Sequence, residues 1–142
     1  YLSGSGSDTL IFRQTSIPEM LNTISVVNVV SQNGGNKYVF NGDSTYNSTR
    51  IYSLTTGTYT LKGIHGNHPL AILNSGNTSN ISYTGTSQPE PPNKTVTGTT
   101  ADGNYQFYYG DVTVTVNGDF GSVSVYCYNH GYMGGENILV YR

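Results

Sequence analysis

Apolar residues in this chain recur at every second position in short runs, and clusters of Gly, Asn, Ser and Thr separate the runs. "DVTVTV" (111–116) and "SVSVYC" (122–127) alternate strictly, which is the period of a half-buried strand. No segment carries a convincing helical period. The pattern predicts strands over 9–14, 23–30, 36–42, 49–54, 58–64, 68–73 and 80–85. Further strands are expected over 105–110 running into 111–118, then 122–128 and 137–142. "SVVNVVSQNGGNKYVF" (25–40) reads as two strands around a Gly-Gly turn, and "VTVTVNGDFGSVSVY" (112–126) as a hairpin. The proline-rich stretch 87–104 has no apolar period and reads as a long surface loop.

Short strands punctuated by turns predict an all-β domain, a sandwich or barrel, with no internal repeat. The domain spans 36–142. Residues 1–35 read as an N-terminal extension, a linker end or a strand swapped with another chain, because "SGSGS" is flexible and Pro18 interrupts the next stretch.

Composition narrows the function classes. Only 10% of the 142 residues are charged, and the net charge of −2 lacks the basic face that nucleic-acid binding needs. No apolar run approaches the ~20 residues of a membrane span. The chain opens at Tyr1 without an initiator Met, so it is expected to be a processed product or a piece of a longer polypeptide. A single cysteine makes no internal disulfide and leaves the redox compartment open. Sequons at Asn47, Asn77, Asn80 and Asn93 permit glycosylation on a eukaryotic secretory route.

The chemistry concentrates in "SVSVYCYNHGYMGG" (122–135), where Cys127, His130 and Met133 stand at the spacing Cys-x2-His-x2-Met. Strand parity puts Cys127 on one face with Val123 and Val125, pointing into the core at a strand end. In "HPLAIL" (68–73), parity likewise puts His68 on the face of Leu70 and Ile72. Pro69 suits a strand's first residues, where a missing N–H costs least. Two imidazoles, one thiolate and one thioether from two strand ends are the His2Cys set with a weak Met that suits electron-transfer copper. Each residue alone has a plainer reading: a buried thiol, a loop histidine and a gap-filling methionine. His65, three positions before His68, reads as a loop residue near the site, and Asn67 as a side chain bracing the ligand loop. No Ser-His-Asp set, phosphate loop or calcium loop occurs, so no enzyme is expected.

"HPLAIL" followed by "YCYNHGYMGG" resembles the cupredoxins, the blue-copper β-sandwich family, with a loop spacing most like the amicyanin type. The chain is also similar to cupredoxin-like modules of structural and surface proteins of marine viruses, phages and cyanobacteria. The shared features are "YVFNG" (38–42), "GTYTL" (57–61), His68-Pro69 and "YCYNHGYMGG" (126–135), over roughly 36–142. The resemblance implies a Greek-key sandwich holding one type-1-like copper on His68, Cys127, His130 and Met133. It also implies a structural or surface module of a virion, fibre, filament or cell-surface assembly. Its partners would be further copies or other subunits. The alternative is an electron-transfer protein, periplasmic, with a redox partner. The long segment 87–104, the first 35 residues and His65 depart from simple carriers.

Overall fold

The computed structural model describes residues 18–87 and 93–142. They form thirteen strands and no helix, so the all-β expectation holds. The strands are β1 (Glu19–Met20), β2 (Ile24–Val26), β3 (Asn28–Gln32), β4 (Gly35–Val39), β5 (Tyr52–Leu54), β6 (Gly57–Ile64) and β7 (Leu70–Leu73). They continue with β8 (Ile81–Ser87), β9 (Asn93–Val96), β10 (Gly103–Gln106), β11 (Tyr109–Val116), β12 (Ser122–Cys127) and β13 (Leu139–Tyr141). The expected strand at 9–14 lies outside the described residues.

Two sheets make the sandwich. One has the order β2-β6-β11-β8 and the other β1-β5-β13-β12-β7. Alternation explains the layer between them. Leu61, Val112, Val114 and Ile81 of the first sheet share one buried cluster with Leu54, Leu139, Val123, Val125, Leu70 and Ile72 of the second. Each buried Val or Leu contributes about 1.5–3 kcal/mol relative to exposure, so this layer is the main source of stability.

Three local expectations are corrected. The turn joining β3 to β4 is Asn33-Gly34, both at positive φ (54° and 81°), because Gln32 pairs directly with Gly35. That is the type I′ geometry that suits the twist of a hairpin. The proposed hairpin over 112–126 does not form. β11 pairs with β6 and β8, whereas β12 pairs with β13 and β7, so residues 117–121 carry the chain from one sheet to the other. Both runs have an apolar face to bury, and opposing those faces across the core buries both. Phe120, 2% exposed, plugs the crossing.

Of the stretch 87–104, residues 88–92 lie outside the described residues, and the described part is not a bare loop either. β9 pairs with β10, from Asn93↔Gln106 to Val96↔Gly103. Val96, Tyr105 and Phe107 build a second apolar cluster with Ala71 and Leu73, the alternate residues of β7. Strand β7 is therefore buried on both faces. Within the span expected as an extension, β1 pairs in parallel with β5 and β2 with β6, and Leu21, Ser25 and Val27 are buried. Arg50 ties β1 down through Glu19 at 2.7 Å and also reaches Asp43 at 3.0 Å.

Candidate metal centre

Strand register brings the predicted residues together. β12 runs antiparallel to β7 with Cys127 opposite Leu70, so the end of one strand meets the start of the other. The Tyr128 N–H donates to the Pro69 carbonyl at 2.9 Å and fastens the two ends just beyond the pairing. Cys127 is fully buried, as its parity with Val123 and Val125 requires. The chain then folds back at once. The Cys127 N–H donates to the Gly131 carbonyl at 2.6 Å, and the Gly131 N–H returns to the Cys127 carbonyl at 3.1 Å. This closed loop carries His130 back over the thiol.

The Cys127 Sγ lies 3.8 Å from the His68 Nδ1 and 3.7 Å from the His130 Nδ1. The two imidazole rings stand 5.0 Å apart, centroid to centroid. All three donor atoms lie within 4.8 Å of one another, so His68, Cys127 and His130 could hold a metal ion. The geometry fits one ion between them. Bonds of ~2.3 Å to sulfur and ~2.0 Å to nitrogen, opened to ~120°, place the sulfur about 3.7 Å from each nitrogen.

Met133 is 6% exposed and belongs to the same buried cluster as Cys127. It holds a φ of 47°, uncommon for a residue with a side chain, and two glycines follow it. Those glycines have steric causes. A Cβ on Gly134 would come within 2.6 Å of the Tyr46 ring, and one on Gly135 would collide with the Val125 carbonyl oxygen. The Gly135 carbonyl also accepts from the Val125 N–H at 2.9 Å, locking the far end of the loop onto β12.

Tyr38 joins these pieces, and the sequence pattern did not single it out. Its hydroxyl donates to the His68 carbonyl at 2.7 Å, and its N–H donates to the Met133 carbonyl at 2.9 Å. Burial, then the neighbouring Cys127 thiol, push the Tyr38 phenol well above the ordinary tyrosine range. The signal was its inward parity with Phe40 in "YVFNG". A polar tip on a buried aromatic needs a partner.

Burial, then the charges of His130 and His65, hold His68 below the ordinary histidine range. It is thus a neutral imidazole, ready to donate a lone pair, at neutral pH. His65 is exposed, with its ring 6.0 Å from that of His68, and its Nδ1 accepts from the Asn67 N–H at 3.0 Å. It stays outside the donor group. Asn67 does link the loops, but through its main chain: its carbonyl accepts from the Asn129 side-chain amide at 2.9 Å. Among the sequon residues, Asn47 and Asn93 are exposed, whereas the Asn80 amide is engaged with the Asp119 carbonyl at 3.0 Å.

No family model matches the chain, and no curated protein or solved structure matches it. Within the described residues no helix is long and apolar enough to cross a membrane.

Proposed function

We propose that this chain is a copper-binding domain of the cupredoxin type, serving as a structural or surface module of a larger extracellular, virion or cell-surface assembly. The observation that supports copper binding most is the Cys127 Sγ standing 3.8 Å and 3.7 Å from two imidazole nitrogens. His68 and His130 would hold the ion through Nδ1 and Cys127 through Sγ, with the Met133 thioether as a weak further donor. Thiolate and thioether favour Cu(I), imidazole suits either oxidation state, and zinc more often takes a tetrahedral set without Met. Copper, when bound, supplies one-electron chemistry. The protein's part is to keep the thiolate in a dry site and to fix both rings from loops that are tied together.

The surface supports the assembly role. Charge is sparse at 10% of residues. Ile24 and Val26, 64% and 44% exposed, lie on β2 at the edge of the four-stranded sheet. Such apolar edges are sites of packing against other surfaces. One observation favours the second reading, an electron carrier: His130 is exposed while Cys127 is buried, which puts one ligand edge within reach of a redox partner.

The test is to add Cu(II) to the metal-free chain. One retained copper per chain, with an intense thiolate-to-copper absorption that Cys127→Ser abolishes, supports the reading. A colourless protein that retains no copper overturns it. A copper-loaded chain that cycles reversibly and occurs naturally as free monomer would replace the assembly role with electron transfer.

A further inference from the structure

Two open clefts reach the donor group, one lined by His68 and the other by His130. One, about 640 Å³, is lined by His65 and His68 together with Asp43. The other, about 480 Å³, is lined by Gly35, Asn36, Lys37, His130, Tyr132, Met133 and Gly134. The second contains no carboxylate in its lining and includes one cation. Lys37 is half-buried on β4 and has no acidic partner within ion-pair distance among the described residues. Its ammonium stands 5.8 Å from the Tyr46 ring centroid and 3.7 Å from where a Cβ on Gly35, another lining residue of the cleft, would stand. The Gly134 N–H has no hydrogen-bond acceptor among the described residues.

We infer that this cleft binds a small monoanion, a carboxylate or a pseudohalide, held by Lys37 against the outer side of His130. The chemistry is complementary: Lys37 supplies the charge, and the Asn36 amide and the Gly134 N–H supply neutral donors, while no carboxylate stands in the lining itself. Position gives the site its consequence. The His130 Nδ1 is turned to the Cys127 Sγ, so the same ring forms the cleft wall and one corner of the candidate metal centre. An anion seated there lies beside the ion's ligand and perturbs its environment, a coupling that rests on the proposed copper binding.

The test titrates sodium azide, and in parallel sodium formate, into the full isotope-labelled, metal-free chain at constant ionic strength, followed by amide NMR. The expected result is saturable shifts at Gly35, Lys37, Tyr132 and Gly134, with affinity roughly tenfold weaker in Lys37→Gln, as loss of one nearby charge predicts. The tighter of the two anions identifies the ligand class. In the copper-loaded chain the same titration shifts the thiolate-to-copper absorption. Absence of saturable shifts, or shifts of equal affinity in Lys37→Gln, overturns the inference. The two readings fail separately: no copper uptake sinks the metal centre and leaves the amide shifts, whereas copper uptake without shifts sinks the anion cleft alone.

Discussion

The Tyr38 hydroxyl donates a 2.7 Å hydrogen bond to the main-chain carbonyl of His68, one of the ligand-bearing residues. Because the Tyr38 N–H also holds the Met133 carbonyl at 2.9 Å, a single residue of β4 braces both ends of the candidate centre. Tyr38→Phe keeps the ring and removes only the hydroxyl. It is expected to cost about 1–3 kcal/mol of stability, since the half-buried carbonyl loses its partner. Metal affinity should fall roughly 10–100-fold, the usual effect of losing support for a ligand. Urea unfolding and competitive metal titration measure the two effects, and unchanged affinity would remove Tyr38 from the site.

Gly135 sits where a side chain has no room, because the obstacle is the Val125 main-chain oxygen rather than a movable side chain. Gly135→Ala is expected to destabilise the fold by about 1–3 kcal/mol or more, as overpacking does. Gly66→Ala, with nothing within 4 Å of its Cβ, serves as the control and should stay within about 0.5 kcal/mol of the parent. Equal stability of the two variants in thermal or urea unfolding would refute the steric account of the Met-Gly-Gly motif.

Much of this was legible because period 2 carries face information. Parity placed Cys127 inward and put His68 on the face of Leu70, and both strand ends meet as that parity needs. What parity does not carry is partner choice. The run 112–126 alternates as a hairpin would, yet its halves belong to different sheets because each has its own apolar face to bury against the other. The β9–β10 hairpin was hidden for a related reason. Its residues cover the reverse face of β7, and no local period reports that Ala71 and Leu73 need a cover. Tyr38 lies within a legible strand, but the reach of its hydroxyl to His68 is a tertiary fact.

Acid should weaken the metal-free protein through His68. Burial first, and then His130 and His65, lower its folded-state affinity for protons. Between that lowered value and the ordinary ~6.5 the unfolded chain binds more protons, so stability rises with pH there and is lost as pH falls. Urea midpoints of the metal-free chain should drop as pH is lowered from about 7 to about 5, and less steeply in His68→Gln. An identical pH dependence in that variant would contradict the assignment.

Alkali should act through tyrosines. Tyr38, Tyr52 and Tyr83 are all raised above the ordinary range, in each case chiefly by burial, with Asp43 adding to the effect at Tyr52. A raised group contributes stability that is present below the unfolded value of ~10 and lost as pH rises past it. Of the 13 tyrosines, these three should therefore ionise late, together with loss of the fold. An alkaline titration of phenolate absorbance beside circular dichroism checks this. One smooth ionisation of every tyrosine with the fold intact would contradict it.

The central claim is that His68, Cys127 and His130 bind one ion together. X-ray absorption of the copper-loaded chain tests it most directly. The predicted shell is one sulfur at ~2.3 Å and two imidazole nitrogens at ~2.0 Å, with the sulfur lost in Cys127→Ser. A shell of nitrogen and oxygen alone in the parent protein would contradict it.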